Sequence, residues 1–235
     1  MRVPAEIVYS SLDMYYQGLQ MKDIRTVLKR EYGYSPSRAA IYKWIRKFTD
    51  NAISYFHNYS PATGDIWIVG EYIERMEGKR MKIYEIVDVR SGFLLATCLT
   101  PNRSITTIKK LLKQAVRKAG KSPGTMYAFI NYSYFDKIKS IFKCQVEHIS
   151  MQPQEMKYDI ELVDCMLNIY DNRLKIMGRV KSLDMINRLL DGWNVHYNYF
   201  QKQSKLGNNT PAEAAGINYP IKSWKDLIIL RSMVR

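Results

Sequence analysis

From Ala5 to about Phe56 the apolar residues recur at three- and four-residue spacing, first Ile7, Val8, Leu12, Met14 and Tyr15, then Ile24, Val27 and Leu28. That is the period of short helices with one buried face. Gly18-Leu19-Gln20 separates the first two, Gly33 stops the second, and Ser35-Pro36-Ser37 supplies capping oxygens and a proline suited to a first helical turn. A third helix is predicted from about Ser37. Ala40, Ile41, Trp44, Ile45 and Phe48 share one face of it, and Arg38, Tyr42, Lys43, Arg46 and Lys47 lie largely on the other. Two short helices, a Gly-containing turn and a basic amphipathic third helix form the pattern of a helix-turn-helix over residues 1–58, with the third as recognition helix.

Residues 57–64 are polar and contain Pro and Gly, and beyond them the period shortens to that of strands. Ile66 to Met76, Met81 to Val89 and Gly92 to Leu99 are rich in β-branched and aromatic residues and joined by hairpin-length turns, which predicts an antiparallel meander. Thr106 to Ala119 follows as an amphipathic helix, Thr125 to Asn131 as a strand, Tyr134 to Phe142 as a helix, and Cys144 to Ile149 as a strand. Asp159 to Met177 and Leu183 to Tyr199 read as helices. The order is βββαβαβα, an α/β domain with a mixed sheet flanked by helices over 65–205, followed by an extension at 206–235 expected to pack on the core.

Charge changes the picture. The 235 residues carry 36 Lys and Arg against 22 Asp and Glu, a formal net charge of +14. Between Arg103 and Lys143 there are ten basic residues and one acid, Asp136. A surplus this clustered points to an extended polyanion. Arg103, Lys109, Lys110, Lys113 and Arg117, with Arg173, Lys175 and Arg179 further on, are candidates for tracking phosphates, as are Lys79, Arg80 and Lys181. On the third helix the groove-facing candidates are Ser37, Arg38, Tyr42, Lys43, Arg46 and Lys47.

No apolar run approaches the roughly 20 residues of a membrane span, and Met1-Arg2-Val3-Pro4 leads directly into the helical pattern with no apolar leader, so a cytoplasmic protein is expected. Cys98, Cys144 and Cys165 are odd in number and widely spaced, as for reduced structural cysteines. His57, His148 and His196 have no metal-ligand spacing and read as structural. Tyr132, Tyr134 and Phe135 suit buried core, with base stacking as the alternative.

Several short motifs add a family likeness across nearly the whole chain: Ile7-Val8-Tyr9, Leu12-Asp13-Met14-Tyr15-Tyr16, Ile41-Tyr42-Lys43-Trp44-Ile45, Gly192-Trp193-Asn194-Val195-His196-Tyr197-Asn198 and Thr210-Pro211-Ala212-Glu213-Ala214-Ala215-Gly216. In their order and spacing they resemble the DDE transposases of bacterial and archaeal insertion sequences, particularly the IS-six type. The resemblance implies an amino-terminal helix-turn-helix, an RNase H-like (integrase core) domain, and three carboxylates, Asp, Asp and Glu, holding two divalent metals. It also implies double-stranded DNA as partner, a possible homodimer, and a prokaryotic, nucleoid-associated location.

The positions that the resemblance assigns to those acids hold Gly70 in Trp67-Ile68-Val69-Gly70-Glu71, Asn131, and Asp164, which lies 33 residues after Asn131. Hard cations want anionic oxygen ligands at fixed distance. Glycine supplies none, asparagine a neutral carbonyl, and Asp is one methylene shorter than Glu. Glu71 cannot simply substitute, because neighbouring strand residues face opposite ways; Asp88, on a neighbouring strand, is the acid that could face the same cleft. The implied reading is a catalytically inactive, regulatory or architectural DNA-binding protein without a metal cofactor. Two alternatives stand beside it. One is an active transposase with relocated ligands using Mg²⁺ or Mn²⁺. The other is a scaffold binding RNA, a ribonucleoprotein or another protein.

Overall fold

The computed structural model describes residues 3–76, 78–101, 104–129, 135–143, 145–148 and 182–233. Its first three helices are α1 (Ala5–Tyr16), α2 (Met21–Tyr32) and α3 (Arg38–Phe56). Each boundary has a local cause. Gly33 closes α2 in the left-handed conformation (φ 64°), returning its N–H to the Lys29 carbonyl. Ser37 caps α3 by accepting from the Ala40 N–H at 3.1 Å. Arg25 fixes the turn between them, donating from Nε to the Pro36 carbonyl at 2.8 Å. Ile7, Val8, Leu12, Ile24, Leu28, Ile41 and Ile45 are buried, as the periodicity predicted.

The sheet consists of β1 (Ile66–Met76), β2 (Lys79–Asp88), β3 (Leu94–Thr100), β4 (Thr125–Phe129) and β5 (Gln145–His148), in the order β3-β2-β1-β4-β5. β1 to β3 are antiparallel, whereas β4 and β5 run parallel to β1. The helix α4 (Ile105–Ala119) packs on β2 and β3, and α5 (Phe135–Phe142) joins β4 to β5. This is the predicted RNase H-like arrangement. β2 starts at Lys79, earlier than the Met81 expected, because its pairing with β1 continues to Met76↔Lys79.

The remaining described helices are α6 (Leu183–Val195), continued by a π-turn over His196–Phe200, a single 3-10 turn at Ser204–Leu206, then α7 (Pro211–Ala214) and α8 (Trp224–Met233). The sequence pattern reads Leu183 to Tyr199 as one helix; the hydrogen bonding widens at His196 instead. There the imidazole Nδ1 accepts from Trp224 Nε1 at 3.2 Å, and the Tyr16 ring stacks on the Trp224 ring with centroids 4.9 Å apart. His196 is structural, as expected. α8 packs on α1, so the end of the chain closes over the amino-terminal helices.

α6 is the element that joins the two halves. Against the sheet it presents asparagines: the Asn187 amide accepts from Leu99 N–H (2.8 Å) and donates to Leu99 carbonyl (3.1 Å), and Asn198 does the same at Leu94 (2.9 Å each). Asn194 donates to Thr97 Oγ1 at 2.7 Å. Side-chain amides thus satisfy edge groups of β3 that would otherwise invite another strand. Against the three-helix unit α6 presents Gly192, where an added methyl group would run into the Tyr16 hydroxyl and the Thr49 side chain. Tyr16 and Thr49 are hydrogen-bonded to each other, and Arg188 pairs with Asp50. One continuous core runs through both halves.

Candidate functional site

On α3 the two halves differ. The carboxy-terminal half is committed to α6 through Thr49 and Asp50, and to the π-turn through Phe56, whose ring stacks on Tyr199 at 4.0 Å. The amino-terminal half leaves Arg38, Lys43, Arg46 and Lys47 exposed. Tyr42 is half-buried and packs against the core, which departs from its expected place among the outward residues. The Ser37 hydroxyl is occupied as the α3 cap.

α4 has no acid, and its Lys109, Lys110, Lys113 and Arg117 are all exposed. Residues 109, 113 and 117 recur every four positions, so they form one stripe, opposite buried Ile108, Leu111, Leu112 and Ala115. Lys118 turns inward. It donates to the Phe56 carbonyl at 3.0 Å within a cleft of about 520 Å³ between α3, α4 and α6, and burial pulls its pKa down to about 8. Arg103, Arg173, Lys175, Arg179 and Lys181 lie outside the described residues, as do Tyr132 and Tyr134.

At the centre of the sheet, Gly70 is paired with Glu85 on β2 and with Phe129, the last residue of β4. Asn131 and Asp164 lie outside the described residues. Directly paired residues share a face, so Gly70 faces the same side as Ile68, Glu85 and Val87. A Cβ placed on Gly70 would stand 3.5 Å from Glu85 Cγ and 3.7 Å from its Oε1. Glu85 is buried, and its carboxylate leans over the space that a side chain at 70 would fill.

The other acids are accounted for elsewhere. Glu71 is on the opposite face, as alternation predicted, and forms a buried ion pair with Lys82. Asp88 does not face the Gly70 side, contrary to the sequence-based expectation. It pairs with Trp67, three residues from Gly70, so the alternation of side chains puts it on the other face. There it accepts from Gly64 N–H (2.8 Å) and Ser91 N–H (3.0 Å), capping the turn that leads to β3. Among the described residues no three His, Cys, Asp or Glu gather as a metal site. Cys98 is half-buried, and burial together with the nearby Asp191 carboxylate pushes its thiol pKa up.

Glu85 is the residue that sequence reasoning missed. The signal was a lone acid at an otherwise apolar parity of β2, among Ile83 and Val87. Asn194 and Asn198 were visible in the Trp193 motif, but not their role.

Comparisons place the architecture. No protein-family model and no curated protein matches the chain. Among solved structures, it is similar to a chain of the simian T-cell lymphotropic virus intasome in complex with PP2A regulatory subunit B56 gamma. That match has 16% identity and a TM-score of 0.53, covering 69% of this chain and 59% of that one. It is also similar to the HTLV-2 integrase catalytic core domain in complex with magnesium (trimeric form), at 13% identity and TM-score 0.50, covering 67% of this chain and 99% of that one. The sheet is an integrase-type core. The likeness is one of fold, and the chain spans 59% of the length of the intasome chain. No helix among the described residues is long and apolar enough to cross a membrane.

Proposed function

We propose that this is a double-stranded DNA-binding protein descended from a DDE transposase of the IS-six type, in which α3 reads the groove and the acid site no longer drives strand cleavage. The observation that carries the reading is the contrast between Gly70 and the helices around it. The central position of β1 offers no metal ligand, while the amino-terminal half of α3 and all of α4 carry exposed cations and no acid. Phosphate neutralisation supplies most of the affinity of such a surface, and a few side chains at the start of α3 supply the preference. The role that follows is regulatory or architectural, at chromosomal DNA in a prokaryotic cell. A homodimer suits a repeated DNA site.

The test incubates the purified chain with supercoiled plasmid and Mn²⁺, beside a Gly70→Asp, Asn131→Asp, Asp164→Glu variant. The expected result is duplex binding that falls steeply with salt and no nicking by the unmodified chain. Nicking abolished by chelation would overturn the inactivity. One observation favours that second reading, an enzyme with relocated ligands: the Glu85 carboxylate lies beside the vacancy at Gly70. Under it, Glu85→Gln abolishes metal-dependent nicking.

A further inference from the structure

β1 and β2 stay paired as far as Met76↔Lys79, but their outer neighbours stop sooner. Among the described residues β4 accompanies β1 to Gly70, and β3 accompanies β2 to Lys82. Beyond both points, 74–76 and 79–81 form a two-stranded ribbon with Gly78 at its turn (φ 77°), roughly 10 Å long at about 3.3 Å per residue. Its two faces differ. Met76 and Met81 are buried, anchoring one face. The other carries Arg75 and Arg80, both exposed.

Arg75 and Arg80 are direct cross-strand partners. Like charges opposed in this way weaken a hairpin. No ion pair or hydrogen bond with a described residue answers either guanidinium, and none answers Lys79 at the tip, which is also exposed; the Glu71 carboxylate at the base is taken by Lys82.

The ribbon also lies at a particular end of the molecule. Phe129, the last residue of β4, pairs with Gly70 on the strand leading into it. α6 runs against β3, with Asn187 at Leu99 and Asn198 at Leu94, so α6 begins at the ribbon end. α3 runs in the same direction as α6, as Asp50 with Arg188 and Phe56 with Tyr199 show, so the free half of α3 points to that end too. α4 starts there, just after Thr100.

We propose that the β1–β2 ribbon is a second duplex contact, with Arg75 and Arg80 gripping backbone phosphates of the same DNA that α3 engages. This rests on the DNA-binding reading above. A two-stranded ribbon fits the major groove, and phosphates on its walls relieve the repulsion between the two arginines.

The experiment titrates the full chain into a 30-base-pair duplex over a salt series and records thermal unfolding of each protein. Each lost phosphate contact lowers the slope of log affinity against log salt by about 0.9. Arg75→Gln with Arg80→Gln is therefore expected to lose about 1.8 of slope, to melt no lower than the parent, and to regain the slope as the double Lys variant. An unchanged slope in a double Gln variant that melts like the parent overturns the ribbon contact and leaves the DNA-binding reading standing. A parent chain that shows no salt-dependent duplex binding overturns that reading, and the ribbon contact with it.

Discussion

The centre of the sheet and the end from which the ribbon, α3 and α4 emerge treat charge in opposite ways. At the centre Glu71 is answered by Lys82, and Asp88 by the Gly64 and Ser91 amides. At the ribbon end, Arg38, Lys43, Arg46, Arg75 and Arg80 are exposed and form no ion pair with a described residue. Burial explains the first pattern, since an unpaired charge in a low dielectric costs several kcal/mol. Exposed cations need no internal partner, and under the proposed function they serve the DNA.

Mutations sharpen this contrast because they should act on stability at the centre and on binding at the end. The largest effect is expected from Lys82→Met, which leaves the Glu71 carboxylate buried without its cation and should cost about 3–5 kcal/mol in urea unfolding. An effect below 1 kcal/mol would mean that the centre is wetter than its burial implies. Gly70→Asp comes next. It sets a second carboxylate against Glu85 and should cost about 2 kcal/mol at neutral pH. The loss should shrink in acid and be recovered by adding Glu85→Gln. The same repulsion means that the restored-triad variant proposed above is best compared with and without that change.

Lys118 gives a pH signature. Its pKa is about 8 in the folded chain against 10.5 ordinarily, with burial as the cause. Below pH 8 both folded and unfolded chains carry the proton, and the full burial cost is present. Between pH 8 and 10.5 the unfolded chain binds more protons, so stability should rise with pH, by on the order of 1–3 kcal/mol. Lys118→Met should flatten that rise and be the more stable protein at pH 7; a parallel rise in the variant would assign it to another group. Arg38→Ala should have the smallest effect on folding, within about 0.5 kcal/mol. Its consequence should appear in DNA selection, where a bidentate contact to guanine discriminates by about 1–3 kcal/mol. Identical footprints for parent and variant would leave α3 a phosphate-only role.

Much of the architecture was legible because it depends on local patterns. Gly33 and Ser37 mark helix ends by their own backbone or side-chain chemistry, and the structure puts caps at both. The strands announced themselves by composition. What the sequence does not contain is register. Asp88 was expected beside Gly70 and Glu85 was overlooked, although a single fact, Gly70 opposite Glu85, decides both. Pairing between strands follows from the whole sheet, and one residue of slip exchanges its faces. The asparagines of α6 were hidden for a related reason: their partners lie about 90 to 100 positions earlier in the chain.

The α6 helix makes the chain a poor candidate for modular exchange. A domain swapped for a foreign one must find a tolerant joint, and residues 57–64 look like such a joint in the sequence. The real seam is elsewhere: Gly192 admits only a neighbour whose side chains fit as Tyr16 and Thr49 do, and the same helix holds the β3 edge through Asn187 and Asn198. A graft at the linker would therefore leave α6 half-dressed and loosen its hold on the sheet. Under the proposed function, a new DNA specificity is best sought by changing the exposed half of α3 in place, since that half can vary without disturbing the seam.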